Sequence, residues 1–127
     1  MKVLAIETSC DETAVAVIVA PSEASAKEGS ENITVLSNVI SSQIKLHAKY
    51  GGVVPNLAAR EHTKNIAHVF RAALKEAGIR DIARDVDLIA VTHGPGLGPS
   101  LLVGITFART LAWLTGIPIV GVNHLDG

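Results

Sequence analysis

Apolar positions fall into separate blocks along the chain. Val3 to Ile6 is a continuous apolar run, Ala14 to Ala20 is another, and Glu7-Thr8-Ser9-Cys10-Asp11-Glu12-Thr13 lies between them. Short apolar runs bounded by polar residues predict two buried strands joined by a hairpin with a polar tip. Pro21 to Asn32 is small and polar and predicts a loop. Ile33 to Ile40 resumes with β-branched residues and predicts a third strand, so the first three strands form an antiparallel meander. Gln43 to Tyr50 fits a short helix before the break at Gly51-Gly52. From Leu57 to Ala77 the period changes: Ile66, Val69, Phe70, Ala73, Leu74 and Ala77 share one helical stripe. Pro55 and Asn56 stand at the start of that helix and Gly78 at its end. Asp87 to Thr92 predicts a buried strand, Gly94 to Gly98 a loop, and Pro99 the first turn of a helix running to about Thr115. Ile117 to Val122 is a last strand, followed by Asn123-His124-Leu125-Asp126-Gly127.

The predicted order is βββαβαβ. Antiparallel strands followed by strands reached through helices give an α/β fold, a mixed sheet covered by helices. The pattern shows no internal repeat and no linker between domains. The chain stops just after a buried strand with no covering element, which predicts a fragment of a longer protein. Gly94 to Asn123 carries a single charge, Arg109, yet Gly116 and Pro118 interrupt it. The helix left between Pro99 and Thr115 spans only about 25 Å, short for a hydrocarbon core, and a central arginine costs about 2.5–3.5 kcal/mol there. A buried helix followed by a buried strand is expected.

Composition narrows this further. The 127 residues suit one domain, and 11 Lys plus Arg against 12 Asp plus Glu leave a net charge of -1. With 48% apolar and 18% charged residues, the chain is no disordered tail, and it lacks the basic excess of a protein that coats nucleic acid. Only two Phe, one Tyr and one Trp are present, so the core must be aliphatic. The single Cys10 excludes an internal disulfide and a cysteine zinc site and fits a reducing cytosol. The opening MKVLAIETSCDE has four apolar residues before its acids and is no signal peptide.

Three places can carry chemistry. Gly94-Pro95-Gly96-Leu97-Gly98-Pro99 joins a strand to a helix, where free N–H groups and the helix dipole favour anions. It is neither a P-loop nor a Rossmann fingerprint, and a tight packing turn would use glycine too. The hairpin tip gathers Glu7, Asp11 and Glu12. Clustered carboxylates serve as a metal site or a general base, and turns favour the same residues without any chemistry. Thr8, Ser9 and Thr13 add hydroxyls there. His124 follows the last strand, at the sheet end where ligands gather, though a lone histidine is also an ordinary loop residue. His62 and His68, six apart, fall on different helix faces. His47 and His93 lack partners in the pattern, although His93 borders the glycine loop. Cys10 beside acids is a poor nucleophile. Lys45, Lys49, Arg60, Lys64 and Arg71 suit either an RNA contact or a solvated face.

The stretches IETSCDETAVAV, SSQIKLHAKYGGVVPNLAAREH, GPGLGPSLLVG and VNHLDG together resemble the TsaD family of tRNA threonylcarbamoyladenosine transferases. The resemblance implies an actin-like ATPase fold, in which two ribonuclease-H-like domains flank a cleft. Residues 1–127 are then the amino-terminal domain of a two-domain protein, with a further helix and a second domain beyond this chain. It implies a metal-dependent acyltransferase that moves a threonylcarbamoyl group from threonylcarbamoyl-adenylate to N6 of adenosine 37 in tRNAs reading ANN codons, releasing AMP. The fragment alone is expected to be inactive. One divalent metal, iron or zinc, is implied, held by a His-x-x-x-His motif and an aspartate. His124 matches the first histidine, and the second falls one residue past Gly127.

In this reading Asp11 and Glu12 are the catalytic acids of the tip, with Asp11 as base or positioner. Thr8, Ser9, Gly94, Gly96 and Gly98 line the nucleotide cleft. The implied partners are tRNA, threonylcarbamoyl-adenylate, a TsaB-like paralogue and, in bacteria, a TsaE-like ATPase. The implied location is the cytoplasm, without membrane contact. A TsaB-like scaffold would lack the metal histidine. A sugar or acetate kinase needs a glycine in its phosphate hairpin, and ETSCDET has none. A zinc protease needs His-Glu-x-x-His, which does not occur. A partner-binding module would dock through the helix Leu57–Ala77.

Overall fold

Alternation of large and small apolar residues builds the centre of the sheet. The computed structural model describes residues 1–21 and 32–126. Strand β1 is Lys2–Glu7, β2 is Glu12–Val19 and β3 is Thr34–Ser42, a meander of antiparallel neighbours. Helices α1 (Ile44–Ala48), α2 (Pro55–Glu76) and α3 (Ile82–Asp85) follow, then β4 (Leu88–Gly94), α4 (Gly98–Thr115) and β5 (Ile119–Asn123). The sheet order is β3-β2-β1-β4-β5, with β4 parallel to both β1 and β5. The α/β class, the mixed sheet and the βββαβαβ order of the main elements are as the pattern predicts. The predicted loop Pro21–Asn32 lies almost wholly outside the described residues.

Register sorts the side chains by face. Leu4 pairs with Val17 and Ile89, and Ile6 with Val15 and Val91. These six side chains are buried with Ile66, Val69 and Ala73 of α2 and Ala108 of α4. Both long helices therefore cover one face, and burying each large aliphatic side chain contributes about 1.5–3 kcal/mol. Phe70 and Phe107 meet edge to face, with centroids 5.2 Å apart, and tie the two helices together. On the opposite face Ala5 lies between Ala16 and Ala90. The same period-two series carries Glu7 on β1 and Thr92 on β4 to the carboxyl ends of their strands.

Local chemistry sets the boundaries. Pro55 begins α2, two residues before the predicted start, because its missing N–H is no loss in a first turn. Gly78, at φ 72°, closes α2; the Gly78 N–H bonds the Lys75 carbonyl and the Ile79 N–H the Leu74 carbonyl. Strand β3 runs on through Ser41 and Ser42, because the ladder to Thr13 and Glu12 holds polar residues in it. The single turn α3 escapes the hydrophobic pattern, being too short to show a period. Its Asp81 side chain accepts from the Ala83 N–H, 3.1 Å away. Among the described residues no helix is long and apolar enough to cross a membrane.

Candidate active site

The last residue of β1 organises the sheet end. Glu7 turns its carboxylate to the face of the sheet opposite α2 and α4. There one oxygen, Oε1, accepts the Ser9 backbone N–H, and Oε2 accepts the Thr92 hydroxyl in short hydrogen bonds. Oε2 also lies 3.1 Å from His124 Nδ1. Half-burial pushes the Glu7 carboxyl up, but the hydrogen bonds from Ser9, Thr92 and His124 together outweigh it and hold the group below the ordinary carboxylate range. The His124 backbone N–H bonds the Gly94 carbonyl at 2.7 Å, so the residue after β5 is tied to the end of β4. Ser9 Oγ sits 3.4 Å from the same Nδ1.

The glycine loop rests on the hairpin tip. The Leu97 N–H bonds the Ser9 carbonyl at 2.8 Å, and a Cβ on Gly96 would lie 2.6 Å from that oxygen. Glycine is required there by close approach. Gly98, at the start of α4, has open space around it, and Gly94 lies on the β4 edge of the site. Ser9, Gly94, Gly96 and His124 are thus brought together, with Glu7 and Thr92 behind them. His93 packs its ring against Gly121, where a Cβ would meet Cδ2 at 2.8 Å.

Thr8 behaves differently from the expectation of a cleft hydroxyl. It is 1% exposed, donates to the Ser100 carbonyl at 2.7 Å and accepts the Gly104 N–H at 3.1 Å. Both capacities of its hydroxyl go to fastening α4 onto the end of β1. Thr13 is likewise fully buried.

Asp11 is partly exposed and Glu12 exposed, and neither side chain hydrogen-bonds another described residue. What is fixed is the backbone beneath them. His62, fully buried, donates from Nε2 to the Cys10 carbonyl at 2.9 Å and accepts the Thr13 hydroxyl on Nδ1 at 2.7 Å. The Gln43 N–H bonds the Asp11 carbonyl at 2.8 Å, and Gln43 Nε2 donates to the Ala58 carbonyl. His47, expected to lack partners, is 3% exposed and has two: Gln43 Oε1 at 2.6 Å and the Val54 N–H at 3.2 Å. Burial lowers the pKa of His62, more than its Cys10 carbonyl contact and the Glu7 and Asp11 charges raise it. Burial, then Asp11 and Glu7, pushes the Cys10 thiol up, so Cys10 is a poor nucleophile as expected. Lys45, Lys49, Arg60, Lys64 and Arg71 are all exposed, and Lys64 pairs with Glu61 at 3.2 Å.

Among the described residues no three His, Cys, Asp or Glu side chains gather as a metal cage. The donor chemistry at His124 still suits one ligand of a borderline metal. A carboxylate on one ring nitrogen orients the imidazole and leaves the other nitrogen as donor. The sequence pattern puts Glu7 in the tip but carries no direct sign of this role, and nothing in it singles out Thr92. The available signal was the period-two series Val3, Ala5, Glu7, which ends at the carboxyl edge of the sheet.

A family model described as TsaD, tRNA N6-adenosine threonylcarbamoyltransferase, matches residues 34–127. A tRNA N6-adenosine threonylcarbamoyltransferase of Thermodesulfovibrio yellowstonii is 50% identical over 127 residues, covering 100% of this chain and 34% of the relative. One from Sorangium cellulosum is 53% identical over 127 residues, covering 100% of this chain and 32% of its own length. The chain spans about a third of the length of these relatives. Among solved structures, YeaZ from Pseudomonas aeruginosa superposes with a TM-score of 0.62 at 23% identity, over 96% of this chain and 43% of its own. Thermus thermophilus RuvC in complex with a Holliday junction substrate gives 0.58 at 13% identity, over 99% of this chain and 68% of its own. The fold is the ribonuclease-H-like mixed α/β fold that these two structures share.

Proposed function

The chain belongs to the TsaD family, the tRNA N6-adenosine threonylcarbamoyltransferases, and from that membership we propose that the protein transfers a threonylcarbamoyl group from threonylcarbamoyl-adenylate to N6 of adenosine 37 in tRNAs reading ANN codons. About 50% identity across the full length of the chain carries this reading. The residues described here form one wall of the cleft. In this reading the other wall belongs to a second domain.

The adenine N6 attacks the carbamoyl carbonyl carbon, the bond from that carbon to the adenylate phosphate oxygen breaks, and AMP leaves with the bonding pair. N6 gives up a proton. Asp11, whose side chain has no hydrogen-bond partner among the described residues and whose backbone is held by Gln43, is the candidate to orient or accept it. Glu12 stands beside it on the same tip. The loop from Gly94 to Gly98, followed by the start of α4, supplies N–H groups suited to the adenylate phosphate.

One divalent metal, iron or zinc, is part of the proposal. His124 would hold it through Nε2, the ligands beyond Gly127 completing the set. When bound, the metal supplies Lewis-acid polarisation of the adenylate.

A TsaB-like paralogue and a TsaE-like ATPase belong to the same reading, as does a cytoplasmic location. The surface for the paralogue is the groove between α2 and α4. Ile66, Phe70, Leu102, Phe107 and Leu114 line it, with Leu102 61% and Leu114 67% exposed.

The deciding assay uses the full-length protein with threonylcarbamoyl-adenylate carrying labelled threonine and an unmodified ANN-reading tRNA. Label on tRNA in step with AMP release is the expected result. Phosphate transfer from ATP to a sugar, with no label on tRNA, would overturn it. Loss of transfer on chelation, restored by iron or zinc, is expected of the metal; transfer untouched by chelation removes it from the proposal.

A further inference from the structure

Glu7 sits at the end of a strand whose other outward residues, Val3 and Ala5, are apolar. A half-buried carboxylate is costly unless its oxygens are occupied. Here Oε1 takes the Ser9 N–H, and Oε2 takes the Thr92 hydroxyl and the His124 ring. The partners come from three parts of the fold: the hairpin tip, β4 and the residue after β5. The carboxylate is therefore fixed from several sides, and it is the fixed member of its contact with His124.

A carboxylate only accepts hydrogen bonds. The 3.1 Å contact to Nδ1 therefore requires the proton of a neutral His124 to be on Nδ1. Nε2 then carries the lone pair and has no hydrogen-bond partner among the described residues. The main chain reinforces the orientation, because the His124 N–H is held by the Gly94 carbonyl at 2.7 Å. Ser9 Oγ, at 3.4 Å, is the weaker neighbour of the same nitrogen.

We propose that Glu7 is a positioning residue. Its carboxylate selects the Nδ1–H tautomer of His124, fixes the ring plane, and so presents Nε2 as a preorganised, electron-rich donor toward the cleft. The proposal rests on the reading of His124 as a metal ligand for its purpose, and on the hydrogen-bond geometry for its substance. It separates the acids of the tip by role. Glu7 acts through His124, while Asp11 and Glu12 are left to face substrate.

The test uses the full-length protein and three variants: Glu7→Ala, Glu7→Gln and His124→Ala. The first reading is the tautomer of His124 in metal-free protein, from long-range proton–nitrogen NMR with the His124 signals assigned by their loss in His124→Ala. The second is zinc affinity, from competition with a chelating dye. The expected result is a protonated Nδ1 in the parent protein, a loss of that preference in Glu7→Ala, and retention in Glu7→Gln, whose amide oxygen still accepts. Zinc affinity should fall about 10–100-fold in Glu7→Ala and less in Glu7→Gln. A purely structural role for Glu7 would not move the tautomer in a folded variant, and Glu7→Gln, nearly isosteric, keeps the test available should Glu7→Ala unfold. An unchanged tautomer in Glu7→Ala, or one in Glu7→Gln like that of free histidine, overturns the proposal while leaving the metal reading intact. Zinc affinity unaffected by His124→Ala overturns the metal reading, and the tautomer measurement still decides the role of Glu7.

Discussion

Gly96 lies so close to Ser9 that a Cβ added to it would fall 2.6 Å from the Ser9 carbonyl oxygen and 3.1 Å from its Cα. Both opposing atoms are backbone, so neither can rotate away. The contact presses the glycine loop onto the hairpin tip at the residue whose N–H holds Glu7. Gly96→Ala should therefore destabilise the protein by about 1–3 kcal/mol, the usual cost of overpacking. Gly98→Ala, in open space at the start of α4, should be neutral. Urea denaturation of the two variants side by side checks the contrast. Equal stabilities would mean that the loop and tip are not in contact.

Thr8 separates a structural hydroxyl from a cleft hydroxyl. Thr8→Val keeps the shape but removes the two buried hydrogen bonds that fasten the Ser100 carbonyl and the Gly104 N–H of α4 to the end of β1. The expected cost is about 1–3 kcal/mol of stability, with KM for threonylcarbamoyl-adenylate unchanged in the protein that remains folded. A raised KM at undiminished stability would place the hydroxyl in contact with substrate.

His62 gives stability a dependence on pH. Burial depresses its folded pKa below the ordinary histidine value of 6.5. The unfolded chain therefore binds the proton more readily, and stability rises with pH wherever it does so. The contribution is fully present above about pH 6.5 and is lost progressively as pH falls through the folded value. His62→Gln should flatten the stability curve between pH 5 and 7, on the order of two units around that value. The loss from Glu7, whose folded pKa is also depressed, sits at lower pH, below its ordinary 4.5. Thermal melts from about pH 2 to about pH 8, wide enough to reach well below the ordinary carboxylate value, would resolve the two windows. A slope near pH 6 that survives His62→Gln would assign it to another group.

Much of this architecture is readable along the chain, and the unreadable part has a common cause. Leu4 and Ile6 on one face of β1 and the stripe Ile66, Val69, Ala73 on α2 announce themselves through period, because the core is a local pattern repeated. The work of Glu7 does not. Its partners Thr92 and His124 lie 85 and 117 residues away. They meet only because β4 inserts between β1 and β5, and strand order is not written in any local pattern. The Gly94–Gly98 loop and His124 were legible as candidates because they stand at strand ends, where function gathers in such sheets. Thr8 was misplaced for a related reason: alternation decides which way a strand residue points, and the strand ends one residue earlier, at Glu7. His47 is the exception. Gln43 precedes it by four positions, a helical pair spacing, so its partner was in the sequence to be found.

Asp11 carries the last prediction. Its carbonyl is bonded to Gln43, and its neighbour Cys10 is bonded to His62, so the tip backbone does not depend on the Asp11 side chain. Asp11→Asn should accordingly leave the unfolding free energy of the full-length protein within the small range typical of surface changes, about 0.5 kcal/mol. If the carboxylate takes the N6 proton, the same change should lower kcat for threonylcarbamoyl transfer by about 10²–10⁴-fold. The lost activity should not return at higher pH, because the amide cannot act as a base. If the carboxylate only orients the adenine, the amide can still hydrogen-bond it, the loss should appear mainly in KM for tRNA, and kcat should fall less than tenfold. Glu7→Gln offers the internal contrast, since its effect should track metal affinity and Asp11→Asn should leave metal affinity alone. Single-turnover kinetics on both variants, with zinc affinity measured on the same preparations, separates the base from the positioner.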